Sequence, residues 1–450
     1  MSRFAGHRLF SRNLADTQEI VAIFFVVFSL CLSVAIINGF PLYMSDSHSY
    51  VGSLDYISTL RSPVPGLVAV PLYPWIGAWA LPVIASATIA FLFVQFCEVV
   101  IGTRPNLLSL LVLFPAAAVP ISASFILADA WLLIEVMGVI ILLHRWRTIE
   151  CVIVAIAIAG HGANFLIMLL LSPLILLIWP SLRRAILVVG VSLCASSLTL
   201  AVGNLIIDGK PFAETFGWSI VASKMMNDIP ETVDDLCNAG SHHPLCDKRG
   251  LMGDNPDRYD EYYIWFSKIS WPETGGLTRT EFNDLGKMLF WDALQRHPLQ
   301  FALATASDWL DGYDSDRCFP VGYLEKDDSN EYTHFLIDQD HGVFAHHDWL
   351  VSPVVCKSIY LVNMLLMGAA LGLGIVFYRM FSPAAKASLL IMWFAILAND
   401  FVFASLSGIG ARHTVRAYGL LVLIVLLSLQ ARQRVQNEGG LSPTKAPSVD

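Results

Sequence analysis

The residues able to do chemistry in this chain gather at the ends of apolar runs. Just past the first run stand Asp46, Ser47, His48 and Tyr50, followed by Asp55, Arg61, Pro63 and Pro65. A carboxylate at a membrane surface can take the proton of an acceptor hydroxyl as a general base; the plainer role for Asp46 is a helix cap before Ser49. Asp129 stands in a tight turn before another run, placed either to cap it or to face the same space as Asp46. Gly160-His161-Gly162-Ala163-Asn164 interrupts a further apolar stretch. There His161 either meets a phosphate or sugar or satisfies the broken helix ends. At the start of the last run come Arg412, His413 and Arg416. A spacing of four puts the two arginines on one helix face. Two guanidiniums there suit a lipid-linked phosphate or diphosphate, held by bidentate hydrogen bonds, or they snorkel to anionic headgroups. Glu98, Glu135 and Asp400 lie in or near apolar runs, where ionisable groups are functional candidates; Glu98 sits close enough to one end to snorkel.

Other chemistries find little support. His242, His243, His346 and His347 match no zinc-ligand spacing and read as solvated loop. There is no phosphate-cradling glycine loop, no GxSxG and no HExxH. Nucleotide-driven chemistry, a resident metal, another cofactor and a nucleic-acid partner are not expected.

The elements that must position these residues follow from hydropathy. The chain has 450 residues, 55% hydrophobic and 14% charged, against about 25% charged in a soluble protein. Apolar runs of about 20 residues recur, each able to cross a hydrocarbon core of about 30 Å. The pattern predicts an all-α polytopic membrane protein with ten transmembrane helices, at 19–38, 80–101, 106–124, 127–144, 149–160, 164–180, 185–207, 355–378, 386–406 and 413–430. The first run is too long for a secretory signal and lacks a small-residue cleavage site, so it reads as a retained span. Arg3, Arg8, Arg12, Arg104, Arg145, Arg147, Arg183, Arg184, Arg379, Lys386, Arg432 and Arg434 fall at alternate span ends. By the positive-inside rule that face, with both termini, is cytoplasmic. Outside the large outer domain and its exit at Lys357, the breaches are Arg61, Arg412 and Arg416, basic residues on the outer face, where a compensating role is expected.

The organisation expected is an amino-terminal module of seven spans over 1–208 with an outer loop at 39–79, a periplasmic domain at 209–354, three spans over 355–430 and a disordered tail at 431–450. The domain carries more than twice as many acids as bases and reads as mainly helical. Cys31, Cys97, Cys151 and Cys194 sit inside spans as small apolar residues. Cys237 and Cys246 lie in the domain with Gly240 and Pro244 between them, so an oxidising compartment permits a local disulfide; Cys318 with Cys356 is a weaker pairing.

Asp46 and Tyr50 after the first span, then Arg61, Pro63 and Pro65, resemble the first outer loop of GT-C membrane glycosyltransferases, and Asp129 matches the acid often found in their second outer turn. The 210–313 region, with Gly217-Trp218 to Lys224, the Cys237–Cys246 pair and Arg296-His297-Pro298-Leu299, is similar to a group of bacterial membrane proteins. The chain departs from the class in having Ser47 and His48 rather than a second acid beside Asp46, and His161 where an arginine is frequent. The resemblance implies a bacterial inner-membrane enzyme that transfers a sugar from a polyprenyl-phosphate donor to a glycan or lipid acceptor on the periplasmic face, with inversion. It implies Asp46 as general base, with Asp129 as a second catalytic acid. Arg61, Arg412, His413 and Arg416 would hold the donor phosphate, and Tyr50, His161 and Asn164 would line the cavity. Two rival expectations stand beside it, a polysaccharide polymerase or ligase using diphosphate-linked glycans and a non-enzymatic flippase of lipid-linked sugars.

Overall fold

A computed structural model describes residues 14–43, 47, 50, 57, 61–212, 217–238, 246, 279–311, 353–407 and 411–439. Apolar sequence in a bilayer must satisfy its backbone internally, which leaves helices as the element for these runs. The described residues are helical apart from turns and one isolated β-bridge, between Leu42 and Phe125.

The membrane part contains α1 (Leu14–Asn38), α2 (Val64–Ala69), α3 (Tyr73–Ile76), α4 (Ala80–Phe96, continued by a π-helical turn Cys97–Ile101), α5 (Leu107–Ala116), α6 (Val119–Ser124), α7 (Trp131–His144), α8 (Thr148–Ala159), α9 (Gly162–Ile178) and α10 (Leu182–Asp208). Outside it lie α11 (Trp218–Asp228), α12 (Glu231–Asn238), α13 (Arg279–Arg296) and α14 (Pro298–Asp311). Three long helices close the chain: α15 (Pro353–Phe377), α16 (Pro383–Leu406) and α17 (Ala411–Gly439).

The expected ten spans become fewer. Among the described residues, six helices are long and apolar enough to cross a membrane, over Thr17–Asn38, Tyr73–Ile101, Leu182–Asp208, Lys357–Met380, Pro383–Leu406 and His413–Gln433, or up to seven if the bent pair α8–α9 counts as one. The run at 106–124 is broken. Pro115 ends α5, Ala118 takes the left-handed conformation at φ 52°, and Pro120 opens α6. The run at 127–144 forms a helix of only 14 residues, about 21 Å of rise, because 125–130 first make the bridge and turn. The runs at 149–160 and 164–180 meet at an angle of 116°. Hydropathy counts apolar residues and is blind to direction. Short, bent helices are tolerated at membrane depth where protein covers them, and α7 is buried from Trp131 to Leu143.

The polar contacts sort the helix ends into two faces. At one, Arg104 beyond α4 pairs with Glu19 in α1, and Arg145 beyond α7 bonds Gln95 near the end of α4 and lies 3.8 Å from Glu150 in α8. Arg184 in α10 donates to the Leu142 carbonyl at 3.2 Å, and His144 meets Ser388 in α16 at 3.1 Å and stacks edge-on against Trp179. At the far end, the Ser124 hydroxyl donates to the Cys31 carbonyl and accepts from Ala35 N, and Leu42 N donates to the Ser124 carbonyl. Ser62 there donates to the Ala159 carbonyl. Arg104, Arg145 and Arg184, which alternate along the sequence, thus share one end. Between the full-length helices sit two broken hairpins, α5–α6–α7 and α8–α9. Both start and finish at the arginine end and turn at the far end. Buried α7 and α17 form the centre, with α1 and α4 on one side, α15 and α16 on the other, and α8 to α10 closing the bundle.

The described outer helices have a core of their own, including Met225, Met226, Ile229, Val233, Phe282, Leu285 and Leu289. Gly286 lets α13 cross α11 closely: a Cβ there would fall 1.7 Å from the Trp218 carbonyl oxygen. Cys237 and Cys246 are disulfide-bonded, Cα to Cα 5.4 Å; the pairing of Cys318 with Cys356 lies outside the described residues. Leu406 of α16 packs on this core, which seats the outer helices on the far end of the bundle.

Candidate functional site at the far end of the bundle

The site is built where three breaks in the apolar sequence meet: the turn before α7, the elbow between α8 and α9, and the start of α17. Arg416 lies five residues into α17 and is 1% exposed. This corrects the expectation of a guanidinium at an open mouth or among headgroups. A buried guanidinium is costly unless paired. Its Nη2 donates to Asn164 Oδ1, its Nη1 stands 3.8 Å from Asp129 Oδ1, and its Cζ lies 5.2 Å from the centre of the Phe403 ring.

Each partner is held by the backbone around it. Asn164 Nδ2 donates to the Ala157 carbonyl at 3.0 Å, across the elbow, which turns Oδ1 toward the arginine. His161 caps α9, its Nδ1 accepting from Ala163 N at 3.1 Å. Gly160 lets the elbow close on α7, since a Cβ there would meet the Trp131 ring at 2.4 Å. Asp129 makes no capping bond to α7, whose N-cap is Ala130. It is buried, with one oxygen toward Arg416 and Oδ2 without a hydrogen bond.

Phe403 is a residue that polarity in the sequence does not reveal. The His413 ring stacks on it at 4.0 Å and 11°, and the His161 ring lies 5.9 Å away. Three of the expected site residues, His161, His413 and Arg416, therefore gather on one aromatic side chain of α16. One turn earlier on that helix, Asn399 Nδ2 donates to the His413 carbonyl at 2.7 Å and to Asp400 Oδ1 at 3.0 Å. The signal that could have found Phe403 is its spacing: it stands three and four residues beyond Asp400 and Asn399, on the same helix face. Deeper in α7, Glu135 is fully buried, neither of its oxygens has a hydrogen bond, and Arg416 is its Coulombic partner.

Other expected residues sit around this centre. Tyr50 and Ser47 are buried, and Tyr50 joins the main core. Arg61 is half-buried beside Ser62, whose bond to Ala159 brings it to the elbow carrying His161 and Asn164. Asp46, His48 and Asp55 lie outside the described residues, as does the Arg412 side chain, although Arg412 belongs to the first turn of α17. Among the described residues, Asp235, Asp292 and His297 of the outer helices bring ligand-type atoms within 4.8 Å of one another. Arg296 lies against both carboxylates, 3.8 Å from Asp235 and 2.9 Å from Asp292.

No protein-family model, no curated protein and no solved structure matches this chain.

Proposed function

We propose that this protein is a GT-C-type glycosyltransferase of the bacterial inner membrane, moving a sugar from a polyprenyl-phosphate donor to an envelope glycan or lipid acceptor at the far, periplasmic end of the bundle. The observation that carries the reading is the meeting of Arg416 with Asp129, one of whose oxygens remains unbonded, at the end opposite the arginines. The positive-inside rule makes the arginine end cytoplasmic. In the reaction the acceptor oxygen attacks the anomeric carbon while the bond from that carbon to the phosphate oxygen breaks. The acceptor proton passes to a carboxylate, and the phosphate leaves as a monoester. Asp46 is the base in this reading and Asp129 the second acid, which orients the acceptor. Arg61, Arg412 and Arg416 supply positive charge toward the leaving phosphate, with His413 fixed beside them on Phe403.

The test is a purified transfer assay with polyprenyl-phosphate sugars. A general base contributes about 10²–10⁴ in rate, so Asp46→Asn should lower turnover at least about a hundredfold while donor binding persists, and Asp55→Asn should be near normal. Full activity in Asp46→Asn removes it as base, and loss in Asp129→Asn alone moves the role there.

A second reading, a flippase of lipid-linked sugars, is favoured by one observation: Glu135, Asp400 and Arg416 are buried within the bundle rather than at its surface. Intramembrane charge marks transport paths as well as active sites. Binding of lipid-linked sugars with their movement between leaflets, and no transfer to any acceptor, would select it.

A further inference from the structure

The outer helix α14 has three distinct flanks. Leu299, Leu303, Ala306 and Leu310 recur at intervals of four, three and four residues, which is one stripe of a helix. The three leucines are 70%, 62% and 68% exposed. On one side of the stripe are the polar residues Gln300 and Ser307; Gln300 donates to Glu231 of α12 at 3.1 Å. On the other side Ala302, Thr305 and Trp309 face Leu397 and Phe401 of α16 across an apolar groove of about 450 Å³. The back of the helix is fixed: Phe301 enters the outer core, and Asp308 takes the buried Lys224 ammonium of α11. The aliphatic stripe therefore cannot roll inward without breaking these bonds.

What covers the stripe is settled by the other wall of the groove. Leu397 and Phe401 lie nine and five residues before the end of α16, about 13 and 8 Å below it at 1.5 Å per residue. They lie on the face of α16 turned away from Asn399, Asp400 and Phe403. That helix is long and apolar enough to cross a membrane, so the medium against this flank is lipid. We infer that α14 lies in the bilayer as an interfacial helix of the far leaflet, with the acyl chains of membrane lipids filling the groove against α16 and covering Leu299, Leu303 and Leu310. A strongly two-faced helix buried partway into the headgroup and acyl boundary is the physical type, and Trp309 suits that depth because its ring is amphipathic. The outer helices are then a membrane-seated unit, and this holds whether the bundle transfers sugars or moves them.

The full chain in nanodiscs of phosphatidylethanolamine and phosphatidylglycerol, doped with a phospholipid bearing a diazirine in mid-chain, gives the test. After irradiation, adducts are mapped on the tryptic peptide 297–317, which holds α14, and on 387–412, which holds most of α16. The expected result is adducts on both, those on 297–317 concentrated at Leu299, Leu303 and Leu310. Leu303→Glu should lower the α14 adducts several-fold while those on 387–412 persist, which also reports that the bundle remains folded. Adducts on 387–412 with none on 297–317, together with hydroxyl-radical labelling of Leu303 and Leu310 from water, would overturn the inference. Protection of Leu303 and Leu310 from both the lipid carbene and the hydroxyl radical, as a second protein chain over the stripe would give, would overturn it equally.

Discussion

The pairing of Arg416 with Asp129 can be measured as a coupling energy. Arg416→Met removes three things from a buried place: a charge-assisted hydrogen bond to Asn164, a cation–π contact with Phe403, and the counter-charge of Asp129. In general terms these are worth about 1.5–3 kcal/mol for the bond and about 0.5–2 kcal/mol for the ring contact. They overlap, and leaving a buried partner uncompensated typically costs about 3–5 kcal/mol in all. Asp129→Asn alone keeps the arginine bonded to Asn164 and stacked on Phe403, and at 3.8 Å it loses a weaker contact; a cost of about 1–2 kcal/mol is expected. The double variant has no stranded carboxylate, so it should be more stable than the two costs added together predict, by about 1–2 kcal/mol, within the range for residues in contact. Reversible unfolding of the purified protein in mixed micelles, run on all four variants, reads the cycle. Additivity within about 0.5 kcal/mol would refute the claim that Arg416 and Asp129 are an energetic unit. A near-neutral Arg416→Met would refute the claim that its burial depends on charged partners.

Two further outcomes concern the outer helices. Burial pushes the Lys224 ammonium down, but Asp228 and then Asp308 outweigh it, so it titrates above its ordinary 10.5. A folded value above the unfolded one means that this group's stabilisation is fully present below about 10.5 and is lost as pH rises through the folded value; hydrogen-exchange protection of α11 should fall in that alkaline range, and Lys224→Met should be less protected at pH 8 and flat above it. Gly286→Ala places a methyl where the Trp218 carbonyl stands, so α11 and α13 must separate; a loss of about 1–3 kcal/mol is expected, read as faster proteolysis of the outer helices with the bundle intact.

Much of the site was legible in the sequence because its signals are chemical and local. Arg416 stood out as positive charge on the face that the positive-inside rule keeps poor in it, and Asp129 as an acid in a turn. Cys237 and Cys246 needed only their spacing and a compartment. The count of spans failed for a different reason. Pro115 and Pro120 lie within an apolar run that stays apolar despite them, and nothing in composition says that 149–160 and 164–180 meet at 116°. Phe403 carried only the weak signal of its spacing from Asn399 and Asp400, because an aromatic in a membrane helix is ordinary; the rings of His161 and His413 against it give it a role.

The broken spans and the site are linked by one physical argument. A full-length transmembrane helix satisfies its own backbone and brings polar groups to the membrane surface only at its ends. A hairpin that turns inside the bundle exposes helix ends below that surface, and those ends need polar partners that lipid does not supply. His161 caps one such end and Asn164 spans the elbow to Ala157. Once Asn164 is held there, its remaining oxygen is a buried acceptor, and Arg416 fills it. A guanidinium so placed then needs negative charge, which Asp129 provides from the turn of the α5–α6–α7 hairpin. The residues that break the apolar runs are thus the ones that make a buried, charged centre affordable in this bundle.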